Sequence, residues 1–538
     1  QSRPRDVHPA APHRVPVDIR RSRRKGLLIT SNAGFFTSGR LEKGLDAAPI
    51  IPPMTQVVLT ATYFGFLLVI WLAGRMWLRL FSSLFSQCPR DDQPGNAEAF
   101  LVGSAMLGLA SYLVIAIFGR MPPLGYCLLV AVHCAMALVG WCVARRPAGP
   151  QWKRGLKTAF FIWAVILGLY AAQLPLTGYD ARAIYGLKAK IVADGANLWG
   201  PDFRDPYRLH FGSNYPLLIP ILESFLFRFR MILSGGDPWG DVGLPLIFYG
   251  FIVAGTLLVT KVTERLAPGW GIFSGVIWAI TPMVWRWTEG AGLSGSADLP
   301  FAVFLAAGVF HLVEGWSSQD RFSLLLAGIF FGATILIKQE GLIGLGLGTV
   351  TIFVDQILWQ RSRQKDNTPM VPNRGPSKLA SFGVFLVILI PFLLFHRLVH
   401  AEMPQQIYMR SYAAALSWEW LQQITDRPAT ILSFAMKELI NNHWGLAWPA
   451  LVVALLLKRD RPLSPTVRRI RLFVLLLMAA YTGIFAVTPF PLLYHLHTAY
   501  ARLMLHALPL AIVVLVEQLA ASLDFTHFGH GNTPESTR

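Results

Sequence analysis

The residues best suited to chemistry follow an apolar run that ends near residue 175. Asp180 lies in Thr177-Gly178-Tyr179-Asp180 and is followed by Tyr185, Lys188 and Lys190. In a helix that spacing sets Asp180 and Lys188 near one face of a short amphipathic segment. A carboxylate in a partly desolvated place accepts a proton from an attacking hydroxyl more readily than one in water. The same residue also serves as a helix cap, and spacing alone favours neither role. Further along, Asp298 follows Ser294-Gly295-Ser296-Ala297, Lys338 and Glu340 flank a turn between two apolar runs, and Arg502 and His506 open the last run. Arg offers a planar fork of donors and Lys a compact charge, both suited to anionic oxygens. Each also has an ordinary role: Lys338 and Glu340 as snorkelling groups or a local ion pair, Asp298 as a carboxylate at the positive end of a helix dipole.

Metal chemistry is poorly supplied. His495, His497 and His506 do not share one helical face and have no carboxylate near them in sequence. Asp202 and Asp205 are three residues apart, which is not an Asp-x-Asp pair. No cofactor and no metal are expected, a divalent cation being the alternative. Cys127, Cys134 and Cys142 fall in one apolar segment without a Cys-x-x-Cys pair and read as core or lipid-facing residues. Glu289, beside Trp285 and Trp287, reads as part of an interfacial aromatic belt. The glycines at 341, 344, 346 and 348 fit close helix packing.

The elements that must position these groups are apolar helices. The chain has 538 residues, of which 54% are hydrophobic and only 14% charged, against roughly 25% charged in an ordinary soluble protein. With a mean hydropathy of +0.46 it lacks the polar surface that a soluble domain of this size requires. A soluble enzyme is excluded. A membrane span needs about 20 mostly apolar residues, and about thirteen runs approach that: 55–74, 98–118, 122–143, 157–175, 242–260, 269–286, 297–315, 322–337, 341–358, 379–398, 444–458, 470–487 and 502–519.

The net charge of +18 then belongs to loops rather than to a nucleic-acid surface. Basic clusters at Arg145 to Arg154, Lys261 and Arg265, Arg361 to Lys378, and Lys458 to Arg471 can all be cytoplasmic together. This requires the segment Tyr215 to Met231 to lie in the outer interface, with Arg228 and Arg230 at the headgroups. Loop 176–241, the stretches 287–297 and 338–340, loop 399–443 and Thr488 to Arg502 are then outside. Residues 1–53 are Arg/Pro-rich and without periodicity, and are expected to be a disordered or upstream extension ahead of Met54.

Four segments carry a resemblance. Gly178-Tyr179-Asp180-Ala-Arg-Ala-Ile-Tyr185-Gly-Leu-Lys188-Ala-Lys190 with Asn214-Tyr215-Pro216 is similar to the first outer loop of the type C superfamily of polytopic membrane glycosyltransferases, which includes protein O-mannosyltransferases and the lipid A aminoarabinose transferase. Gly295-Ser296-Ala297-Asp298-Leu299-Pro300, Ile337-Lys338-Gln339-Glu340-Gly341, and His495 to Thr498 through Arg502 and His506 to Pro509 resemble further motifs of that superfamily, in the same order. The resemblance implies an all-α integral membrane protein with interfacial helices in the first large outer loop. It implies a sugar donor on a polyprenyl phosphate, inversion at the anomeric carbon and Asp180 as general base. Lys188, Lys338 and Arg502 are then the phosphate clamp. Tyr179, Tyr185, His210, Tyr215, Asp298, Glu340, His497 and His506 are the substrate contacts.

The expected organisation is a basic segment at 1–53, N-terminal membrane helices at 54–156, a catalytic membrane core at 157–400, a cover loop with C-terminal helices at 401–520, and a tail at 521–538. The expected partners are the lipid bilayer, the lipid-linked donor and a glycan, lipid or protein acceptor, with no nucleic acid. The expected site is on the outer face of a bacterial inner membrane, since no retention signal or Asn-x-Ser/Thr-rich outer loop is present. Two rivals use the same outer charges. A lipid-linked oligosaccharide polymerase or ligase would rely on Arg410 or Arg427, and a transporter would bind an amphipathic anionic solute without breaking a bond.

Overall fold

A computed structural model describes residues 53–85, 95–142, 154–198, 200, 215–234, 240–365, 378–402, 427–459 and 462–523. His210, Asp202, Asp205, Arg410, nearly all of segment 1–53 and most of tail 521–538 lie outside these residues. Every regular element among them is helical. The helices are α1 (Pro53–Phe85), α2 (Asn96–Phe118), α3 (Pro123–Cys142), α4 (Arg154–Ala171), α5 (Leu187–Ala193), α6 (Leu218–Leu233), α7 (Leu246–Leu266), α8 (Gly271–Ile280), α9 (Pro282–Trp285), α10 (Asp298–Ser318), α11 (Arg321–Ile337), α12 (Glu340–Lys365), α13 (Lys378–Glu402), α14 (Arg427–Leu439), α15 (Ala447–Leu456), α16 (Pro465–Ala486) and α17 (Leu492–Ser522). A π-helical turn, Asp180–Gly186, leads into α5.

Seven helices, in α1, α2, α7, α10, α12, α16 and α17, are long and apolar enough to cross a membrane. Six more apolar helices of 10–17 residues accompany them. The apolar windows of α10 and α17 are 94% and 89% buried, which makes these two the centre of the packing, whereas those of α12 and α16 are only 33% buried. The outer helices expose large apolar side chains, among them Phe161, Ile166, Val350, Leu394 and Leu475. Exposure of that kind is costly in water and ordinary in hydrocarbon.

Charges gather at the two ends of these helices. At one end Lys261 of α7 pairs with buried Glu98 of α2 at 2.5 Å, and Arg265 pairs with Glu314 of α10 at 2.8 Å. Asp355 of α12 pairs there with Arg468 and Arg469 of α16, and Arg469 also bonds Ser317 of α10. The opposite ends of α10, α11, α12 and α17 carry the site described below.

One expectation needs correction. The last helix begins at Leu492 rather than near 502, because Pro491 flanks a sequence that is already apolar and helix-favouring. His495, His497 and Arg502 therefore lie within α17, not ahead of it. The segment from Tyr215, expected in the outer interface, contains α6. α6 packs against α5, α1 and α2, its residues 218–227 are buried, and Arg230 is buried with a guanidinium that donates to the Val242 carbonyl.

Candidate active site

The first requirement is to hold the chain around Asp180. The Thr177 amide donates to the Ser294 carbonyl at 3.1 Å, the Thr177 hydroxyl bonds the Trp287 carbonyl at 2.5 Å, and the Trp287 indole donates to the Pro175 carbonyl at 3.1 Å. The Tyr179 amide donates to Glu289 Oε1 at 3.0 Å. Gly295 sits at φ 93°, where a Cβ would overlap Leu176 Cδ2 and crowd Ala181. Only glycine lets the turn before Asp298 approach the turn that carries Asp180 this closely.

Asp180 then opens the π-helical turn, whose N-cap residue Tyr179 makes no side-chain capping hydrogen bond. Its partner is Arg502, whose terminal nitrogen lies 2.5 Å from Asp180 Oδ2. Arg502 Nε donates to Asp298 Oδ2 at 2.8 Å, so one guanidinium bridges two carboxylates that are far apart in sequence. Asp298 Oδ1 also accepts from Lys338 Nζ at 2.5 Å and from His506 Nε2 at 2.9 Å. Because Asp298 can only accept, His506 carries its proton on Nε2, and Nδ1 receives the Tyr481 hydroxyl at 3.0 Å. Glu340 Oε1 lies 3.9 Å from Lys338.

Exposure separates the groups by role. Asp298 and His506 are fully buried and Lys338 nearly so, while the side chains of Asp180, Arg502 and Glu340 keep 21%, 20% and 24% of their surface. The accessible rim therefore consists of Asp180, Arg502 and Glu340, and the buried tier behind it fixes their places. The two contacts of Arg502 use Nε and one terminal nitrogen, which leaves the other terminal nitrogen without a partner among the described residues.

Tyr185 and Tyr215 pack edge to face with ring centroids 6.0 Å apart beside this rim. Burial pushes both hydroxyls above their ordinary range, so both are O–H donors. The Tyr185 hydroxyl is buried without a hydrogen-bond partner among the described residues, an arrangement that suits a ligand oxygen.

Lys188, expected in the phosphate clamp, lies beside Tyr215. It is fully buried, its ammonium donates to the Tyr215 carbonyl at 2.8 Å, and burial lowers it to about 7. His497 is exposed, with its ring edge-on to Phe434 of α14 at 4.9 Å, and stands apart from the cluster. Tyr179 is 53% exposed at the rim.

Sequence reasoning passed over Tyr481 and undervalued Glu289. An aromatic residue inside an apolar run gives no signal until its partner His506 is known. Glu289 sits two residues from Trp287, and only the fold reveals that both tie the Asp180 turn in place. Among the described residues no group of three or more His, Cys, Asp and Glu side chains is arranged to hold a metal ion. Comparison with protein families, curated proteins and solved structures gives no match to this chain.

Proposed function

We propose that the chain is an integral membrane glycosyltransferase that moves a sugar from a polyprenyl-phosphate donor to a glycan, lipid or protein acceptor, with inversion at the anomeric carbon. The observation that carries this reading is convergence. The four ordered segments that resemble the type C superfamily supply Asp180, Asp298, Lys338 with Glu340, and Arg502 with His506, and all of these meet in one cluster. In this reading the seven long helices and the six shorter apolar ones all cross the membrane, about thirteen spans in total. The cluster then opens on the outer face of a bacterial inner membrane, because the basic loops lie at the other end.

In the proposed step the acceptor oxygen attacks the anomeric carbon while the bond from that carbon to the phosphate oxygen breaks. The acceptor proton passes to Asp180, and the lipid phosphate leaves with the bonding pair. The unpaired terminal nitrogen of Arg502 and the remaining protons of Lys338 are the donors left to meet it. Asp298 is a positioning residue that holds Lys338, Arg502 and His506 without touching substrate. Arg427, the candidate of the ligase reading, donates to the Ala486 and Thr488 carbonyls at 3.2 and 2.9 Å and fastens α14 to the end of α16.

The test is label transfer from a panel of purified polyprenyl-phosphate sugars into membranes containing the wild type or Asp180→Asn. Transfer by the wild type alone supports the reading. Transfer by neither moves the weight to a transporter, and equal transfer by both removes Asp180 as the base.

A further inference from the structure

A second feature lies away from the candidate active site. Helices α14, α15, α16 and α17 enclose a cleft of about 590 Å³ whose walls are almost wholly apolar. Along α16 it runs from Arg471 to Ala486, which at about 1.5 Å per residue is roughly 22 Å. Pro428, Ile431 and Leu432 of α14 line it near Ala486, and Arg471 lies at the other limit. Leu432, Val452 and Leu475 on its rim are exposed, so among the described residues the cleft opens sideways. Gly483 lines it too, and a Cβ there would meet nothing within 4 Å.

Arg471 is the one charged residue of this lining. Its neighbours in sequence, Arg468 and Arg469, are paired with Asp355, whereas Arg471 has no ion pair or hydrogen bond among the described residues. A guanidinium at the end of an apolar slot matches a molecule with an anionic oxygen-rich head and a long hydrocarbon tail. The end that holds Arg471 is also the end of the Glu98–Lys261 and Arg265–Glu314 pairs, the cytoplasmic end in the reading above.

We infer that this cleft binds an anionic glycerophospholipid of the cytoplasmic leaflet, its phosphate on Arg471 and one acyl chain along α16. The inference rests on the membrane-spanning part of the preceding reading and not on sugar transfer. Such a lipid fills the slot left between α16 and the helices α14 and α15, which also pack on α17.

The experiment is native mass spectrometry of the purified full chain in detergent, with no sugar donor present. Phosphatidylglycerol and phosphatidylcholine of the same chain composition are offered together, and glycerol 3-phosphate is added separately as a competitor. The wild type should retain phosphatidylglycerol at least fivefold over phosphatidylcholine. Arg471→Gln should remove the preference, and Gly483→Phe should remove both lipids at unchanged folded yield. Equal retention of the two lipids by the wild type would overturn the inference. So would displacement by glycerol 3-phosphate, which would mean a free-phosphate site, or full retention by Gly483→Phe. Because no donor is present, the result stands whether or not the chain transfers sugar.

Discussion

Replacing Asp298 with Asn should cost more than any other single change at the cluster. The carboxylate is fully buried and receives Lys338, Arg502 and His506 at 2.5, 2.8 and 2.9 Å. Asn keeps one acceptor oxygen and turns an NH₂ toward groups that are themselves donors. At least one of the three bonds is lost, and Lys338 is left buried without a full counter-charge. Breaking a buried ion pair from one side costs about 3–5 kcal/mol. Lys338→Met is milder, since Asp298 retains Arg502 and His506. The double variant Asp298→Asn with Lys338→Met removes the stranded ammonium, and should be more stable than Asp298→Asn alone by about 1–2 kcal/mol. Equilibrium unfolding of the four purified proteins in one detergent measures the cycle. Additivity of the two single costs within about 0.5 kcal/mol would refute the buried pairing.

Three further outcomes follow from the geometry. Lys188 titrates at about 7 in the folded chain against an ordinary 10.5, so its burial costs nothing above that ordinary value, costs progressively more as pH falls to about 7, and is constant below. Stability should therefore rise by a few kcal/mol between pH 7 and 10.5 from this group, and Lys188→Met should flatten that slope in pH-dependent melts. Gly295→Ala places a Cβ against Leu176 and Ala181 at a positive φ, and should lower stability by at least about 1–2 kcal/mol with loss of transfer, read by melting and by the transfer assay together. In a cysteine-free background, Asn197→Cys and Ser318→Cys should react with a membrane-impermeant thiol reagent from opposite sides of sealed vesicles. Reaction of both from the same side would break the proposed orientation.

Much of the fold was legible because apolar length is a strong signal. Each of the thirteen expected runs is helical over most of its length. The ends were less legible. α17 starts ten residues early because Leu492, Leu493 and Leu496 extend its apolar pattern past the histidines. For the site, residue types pointed to Asp180, Lys338, Glu340, Arg502 and His506 as a set, yet not to how their charges are divided. Asp298 looked like a residue for a helix dipole, whereas it gathers three partners from two other segments. Lys338 and Arg502 looked like a free phosphate clamp, yet each is already paired. Long-range pairing of this kind has no local pattern, so spacing does not report it. The π-helical turn that carries Asp180 was not legible either, since seven residues of ordinary composition do not announce one.

The most direct test of the central claim uses purified protein in lipid with one labelled polyprenyl-phosphate sugar and its acceptor. Wild type should release polyprenyl phosphate and form a glycoside of inverted anomeric configuration. Asp180→Asn, with an unchanged melting curve, should lose at least about 99% of that rate, as expected when a positioned general base worth 10²–10⁴-fold is removed. Equal rates for the two proteins, or a product of retained configuration, would contradict the account.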